Sequence, residues 1–223
     1  MSDVHKFLLV RSARLTLVMV MNGDGDLVVR SPRHISIERI RNFVTANGDW
    51  IDRKRKRMLA RPQPKLKLFI DEEEFLFLGQ SHYLRLTDES CRISISNGNL
   101  ILPQQCLGQA AEKLTQWYKS QARQHIEERC THFAVVLGVA FKGIHITSPR
   151  QRWGSCGSRG TLNFNWRLVM APPEVIDYVV IHEMTHLKYF NHSPEFWVKV
   201  KALSPDFKRH QAWLKANKHR LAI

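Results

Sequence analysis

At 223 residues the chain is long enough for one domain, or for two small ones sharing a core. Its 43% hydrophobic and 24% charged residues fall in the globular range, which excludes disordered, collagen-like and coiled-coil readings. Lys and Arg outnumber Asp and Glu by 34 to 20, and the formal net charge of +14 favours acidic partners: nucleic acid, anionic membrane or phosphorylated ligands.

The apolar run Phe7 to Val10 is shorter than the ~7–15 residues of a secretory signal core. Leu15 to Met21, interrupted by Thr16, falls far below the ~20 residues that span a bilayer. Cys91, Cys106, Cys130 and Cys156 form no CxxC pair. A reduced, soluble, cytoplasmic protein with ordinary thiols and no membrane partner is expected.

Leu15, Leu17 and Met19 alternate with Thr16, Val18 and Val20. The turn residues Asn22-Gly23-Asp24-Gly25-Asp26 follow and Leu27-Val28-Val29 returns, so residues 7–30 predict strands around a hairpin. Ser31-Pro32 predicts the start of a helical stretch, with Ile37, Ile40 and Val44 at helical spacing and an interruption at Asn47-Gly48-Asp49. The run Arg53-Lys54-Arg55-Lys56-Arg57 reads either as a solvated helix face or as a phosphate-contacting patch. No aromatic interleaves it, so weak, sequence-independent nucleic-acid binding is the most it predicts.

From 65 to 102, strand-like pieces at 65–70, 74–78, 82–86, 91–95 and 100–102 predict a β meander. A long helix is expected from about Gly108 to Leu137, with Leu114, Trp117, Tyr118, Ala122 and Ile126 as a core stripe. Residues 139–148 and 161–170 read as two strands around the loop 154–160. In the second, Leu162, Phe164, Trp166 and Leu168 alternate with Asn163, Asn165 and Arg167. Its polar face is expected to offer an edge to an extended peptide. Pro172-Pro173-Glu174 then starts a helix.

That helix runs into His182-Glu183-Met184-Thr185-His186. Two His four apart share one helix face, and zinc accepts two imidazoles from one rigid element. Glu183 is rotated away from the ligands, placed to act as a general base on a water. The five-residue motif alone is short, so its context matters. Asp177 to Ile181 is nearly all apolar, and a buried helix carrying His, Glu and His without a purpose is costly. Zinc needs a third ligand and an open fourth position. His192 is the candidate, with Glu195 as its rival. Metzincins have this outer spacing but turn the chain with a Gly. Tyr189 stands there here, so Asn191, which tolerates left-handed geometry, is the expected turn residue. Ser193-Pro194 reads as the cap and first residue of a new helix.

Four blocks together, Arg152-Trp153-Gly154-Ser155-Cys156, Leu162 to Leu168, Asp177 to Lys188 and Asn191 to Trp197, resemble the YgjP-like metallopeptidase-domain family, related to SprT-like and minimal gluzincin-type zincins. The blocks span roughly 140–216, with looser agreement from about residue 12. The resemblance implies an α+β fold in which a zincin-like core, an HExxH helix on a small antiparallel sheet, follows a β-rich N-terminal region. The expected division is 1–106 and 107–223. The resemblance also implies one Zn²⁺ held by His182, His186 and His192, with Glu183 as base. It places the Arg152 turn near the metal. Arg152 then either binds a substrate carboxylate or phosphate or stabilises an oxyanion, or it ties the loop structurally. Cys156 is a weaker candidate for a fourth ligand, and His125, His132 and His145 lack ligand spacing.

Three functions fit. The leading one is a zinc metallopeptidase acting on peptides or proteins. A nucleoside-triphosphate pyrophosphohydrolase suits the charge, but phosphoanhydride chemistry favours carboxylate-held Mg²⁺ or Mn²⁺ over three His. A nucleic-acid-associated module with structural zinc is the third, and a three-His site beside a Glu leaves a position open that structural zinc rarely leaves.

Overall fold

The computed structural model describes residues 5–22, 25–60, 65–89 and 92–223. Gly23 and Asp24 of the expected hairpin turn, Ser90 and Cys91 lie outside that range. Contacts divide the chain into two compact units, 1–63 and 64–223.

The first unit holds β1 (Phe7–Ser12), β2 (Val18–Met21), β3 (Leu27–Pro32), α1 (Ile37–Ala46) and α2 (Gly48–Leu59). β2 and β3 form the expected antiparallel hairpin, with Met21 opposite Leu27. β1 lies parallel to β3 on its other side. Leu27, Val29, Ile40, Val44 and Ile51 are its buried core. The helix starts later than Ser31-Pro32 predicts. β3 continues through Pro32, and Ser36 caps α1 by accepting the Arg39 N–H. The break at Asn47 is as expected. Its N–H caps α1 and its amide donates to the Phe43 carbonyl. The basic run lies on α2, with Arg53, Lys54, Lys56 and Arg57 exposed.

The second unit opens with β4 (Glu74–Phe77), β5 (Gln80–Thr87), β6 (Ser94–Ser96) and β7 (Asn99–Pro103). Their order is β4-β5-β7-β6, and β5 pairs β7 in parallel, so this is not a meander. Burial decides the order: Leu100 and Leu102 of β7 are fully buried, while β6 buries only part of Ile95, so the more apolar strand takes the centre. Residues 65–70 form no strand. Leu66 and Leu68 are exposed there, and the Glu73 carboxylate takes the Leu68 and Phe69 N–H groups.

α3 (Ala110–Leu137) follows a short 3₁₀ turn. Its stripe Leu114, Tyr118, Ala122, Ile126, Cys130, Phe133 and Leu137 is buried, and the Tyr118 hydroxyl donates to the Leu76 carbonyl of β4. One apolar cluster spans the β4–β7 sheet and α3. The expected boundary at 106/107 therefore falls inside the second unit.

A smaller sheet carries β8 (Gly143–Thr147), β9 (Gly154–Cys156) and β10 (Thr161–Asn165) in the order β8-β10-β9. β10 is parallel to β8 and antiparallel to β9, so the sheet is mixed rather than antiparallel throughout. β10 is central and offers no free edge. The edges belong to β8 and β9. β10 also ends earlier than its alternation predicts. The Asn165 side chain accepts the Arg167 N–H and starts a 3₁₀ turn over Trp166–Met170, which buries Trp166 and Leu168 by helical rotation. That turn anchors the larger sheet: its Val169 and Met170 carbonyls accept the Leu78 and Gly79 N–H groups. Gly79 sits at φ +78, where a Cβ would lie 2.8 Å from Pro172 Cα, so only glycine fits.

α4 (Pro173–Thr185), α5 (Pro194–Leu203) and α6 (Phe207–Asn217) complete the unit. The class is α+β, with the HExxH helix packed against the small sheet as expected. No helix among the described residues is long and apolar enough to cross a membrane. Cys106, Cys130 and Cys156 are free thiols.

Candidate metal centre and active site

α4 begins at a proline pair that pre-sets its first turn, with Pro173 inside the helix. Val175, Ile176, Tyr178, Val179, Val180, Ile181 and Met184 are all buried, so α4 is a central helix with apolar contacts nearly all round. Arg129 of α3 grips Asp177 through two hydrogen bonds of 2.6 and 2.8 Å. Gln211 of α6 donates to the Tyr178 hydroxyl at 2.8 Å. The helix carrying the motif is thus held from two sides.

The chain reverses after Thr185 without a left-handed residue. Asn191 has no positive φ, contrary to expectation. Instead Leu187, Lys188 and Tyr189 fold back on α4 through backbone bonds to Met184 and Thr185. The Lys188 ammonium donates to the Leu137 carbonyl at the end of α3. Ser193 then caps α5 by accepting the Phe196 N–H, with Pro194 at its first position, as predicted.

This route brings His182, His186 and His192 together, with one ring nitrogen of each lying within 4.8 Å of the others. Nε2 of His192 is 3.1 Å from Nε2 of His182. Two imidazole nitrogens on one tetrahedral zinc lie about 3.3 Å apart at Zn–N bonds of ~2.0–2.1 Å, so the set fits such an ion. His186 Nδ1 is 2.9 Å from the Tyr189 carbonyl. Donation of its N–H there fixes the tautomer and leaves Nε2 free for a metal. Burial first, then the neighbouring His186 and His192, hold His182 down to about 4, so it stays neutral and able to ligate at pH 7.

The rings rest on aromatic side chains. Buried Phe196 lies 5.0, 4.5 and 4.8 Å from His182, His186 and His192, centroid to centroid. His192 is exposed, and among the described residues its ring has no backbone hydrogen-bond partner. Its ring stacks on Trp197 at 5.5 Å, and Trp197 stacks on Phe207 of α6 at 5.2 Å. The histidine spacing alone points to neither Phe196 nor Trp197, nor to the Tyr189 carbonyl. The adjacent aromatic pair just after a helix cap is a signal for the first two. A carbonyl carries none.

Glu183 is 7% exposed and faces β9. Burial pushes its carboxyl up to about 7, against the pull of the Cys156 N–H that it accepts and of the Arg152 charge. The approach is close because position 154 is glycine: a Cβ there would lie 2.5 Å from Glu183 Cγ. Gly154→Ala is therefore expected to displace Glu183 and lower kcat about 10²-fold at unchanged metal content, read from steady-state rates on metal-loaded protein. Register shows the rest of the strand. Bonds at Trp153–Asn165 and Gly157–Thr161 make Gly154 and Cys156 the outward-facing positions of β9.

Gly154 to Ser158, the three His, Glu183 and exposed Phe190 line one cleft of about 370 Å³. Arg152 is exposed, with its carbonyl accepting from the Asn165 amide, and its charge is felt at Glu183. Glu195 stays out of the histidine group. Its carboxylate accepts from the Ser193 hydroxyl and from its own N–H at the start of α5. Cys156 lines the cleft but is not in the group, and burial and then Glu183 raise its thiol. His125, His132 and His145 are outside it too.

The family model for YgjP-like, metallopeptidase domain, matches residues 15–217. Two solved structures are similar. One is the metallopeptidase zymogen of Pyrococcus abyssi abylysin, at 22% identity and TM-score 0.40, covering 44% of this chain and 99% of that one. The other is the metallopeptidase zymogen of Methanocaldococcus jannaschii jannalysin, at 20% identity and TM-score 0.37, covering 40% of this chain and 93% of that one. No curated protein matches the sequence.

Proposed function

The chain belongs to the YgjP-like family, metallopeptidase domain, and on that premise we propose that it is a zinc-dependent peptidase whose ligands are His182, His186 and His192 and whose general base is Glu183. The observation that carries the reading is the convergence of three imidazole nitrogens beside a buried carboxylate on the same helix. Zinc, when bound, acidifies a coordinated water and polarises the scissile carbonyl. Glu183 receives the water's proton on its carboxylate and passes it to the leaving amine. With a cation held by the three histidines, the Glu183 carboxylate would be favoured in its ionised form against the upward push of burial. The Cys156 N–H holds Glu183 in place, and Gly154 lets it approach. Arg152 adds a positive charge near the base. It opposes protonation of Glu183 before reaction and attracts the oxyanion that forms. The edge of β9, rather than that of β10, offers the Gly154 backbone groups and the Cys156 carbonyl to a substrate in extended form, the Cys156 N–H being held by Glu183.

The test is parallel assay of zinc-loaded protein against a peptide library and against nucleoside triphosphates. Peptide cleavage that a chelator removes and zinc restores is expected, with triphosphates left intact. Triphosphate hydrolysis without peptide cleavage would contradict the reading.

A further inference from the structure

Between Glu128 and Glu174 the chain has no acidic residue, yet it carries Arg129, Lys142, Arg150, Arg152, Arg159 and Arg167. This stretch supplies the whole β8-β10-β9 sheet and one wall of the cleft. Two of the six cations are engaged: Arg129 with Asp177, and Arg167 over the Trp166 ring at 4.4 Å. Lys142, Arg150, Arg152 and Arg159 are exposed, and among the described residues none of their side chains makes a hydrogen bond or ion pair.

Their placement brackets β9. Arg150 and Arg152 immediately precede the strand. Arg159 lies in the turn that follows it, and Lys142 packs beside that turn, its Cγ 3.9 Å from where a Gly160 Cβ would be. The same Gly160 position is 3.8 Å from Leu187, the residue after His186, so this turn adjoins the metal-site end of α4. Inside the bracket the one carboxylate lining the cleft is Glu183, which is buried. Glu195 is exposed nearby in sequence but engaged at the start of α5. At ~3.3 Å per residue, an extended peptide of about four residues reaches from one cationic pair to the other.

We propose that the peptides this site takes are acidic, carrying anionic side chains on both sides of the bond that is cleaved. The inference rests on the peptidase reading and adds its substrate class. Unpaired exposed cations around a cleft attract anionic ligands and raise their rate of encounter. A peptide is favoured over a nucleic acid because the outward Gly154 backbone groups and the Cys156 carbonyl match its amides, and among the described residues no aromatic platform for bases lines the cleft beyond the single Phe190.

Three peptides with one shared core, flanked on both sides by Glu, Gln or Lys, test this with the zinc-loaded full chain. The expected order of kcat/KM is Glu, then Gln, then Lys. The span is about 10-fold or more at low salt and shrinks as salt screens the rim. In the double variant Arg150→Gln, Arg159→Gln most of the Glu preference is lost, while the Gln-flanked peptide is cleaved at the parental rate. Should that variant fail to fold, the salt dependence of the parental preference still decides. Equal rates on the three peptides, or a preference for Lys, would overturn acidic selection and leave the peptidase reading standing. Cleavage of none of them, with a triphosphate hydrolysed or an oligonucleotide bound through the same arginines, would remove both.

Discussion

Glu183→Gln is expected to lower the hydrolytic rate by about 10²–10⁴-fold while the protein binds zinc as before. Gln has nearly the same shape, and its amide oxygen still accepts the Cys156 N–H. It has no carboxylate to receive a proton at neutral pH. The fold should not suffer, because a neutral amide is easier to bury than the carboxylate that burial already pushes up to about 7. Steady-state kinetics beside metal analysis checks this. A variant that keeps both its zinc and the parental rate would show that the proton goes elsewhere.

The second large effect is expected at His192. Removing one of three protein ligands should reduce zinc affinity by orders of magnitude, about the scale by which chelation by three groups exceeds that by two. His192 is exposed on a turn, so His192→Ala should cost the metal-free fold little, and the loss can be read on the metal alone. Glu195→Ala is the paired control. Its carboxylate is engaged at the start of α5 and not with the histidines, so zinc affinity should hold while α5 loses only some support at its N-terminus. Competition titration with a chromophoric chelator measures both. Unchanged affinity in His192→Ala with loss in Glu195→Ala would exchange the two roles.

What could be read in the sequence was local. The helical spacing of His182 and His186, the apolar stretch before them, and the Ser193-Pro194 cap placed the motif, its burial and the start of the next helix before any fold was known. The long α3 stripe and the α1–α2 break at Asn47 were legible for the same reason: each is a periodicity or a cap. Pairing between distant strands was not. Alternation shows which face of a strand is buried and not its neighbour, so the parallel contacts β1–β3, β5–β7 and β8–β10 were missed. Asn165 shows a second limit. Trp166 and Leu168 extend a period of two in sequence, yet the Asn165 side chain caps a 3₁₀ turn and buries them by another route. The role of Gly154 was hidden because the atom it makes room for, Glu183 Cγ, lies 29 positions away in the chain.

The most direct measurement is an anomalous difference map collected at the zinc absorption edge from crystals of the zinc-loaded protein. One peak per chain is expected, bonded to Nε2 of His182, His186 and His192 at ~2.0–2.1 Å, with the fourth position open to solvent beside Glu183. A peak at another place, or one closed in the fourth position by Cys156, would contradict a catalytic zinc centre.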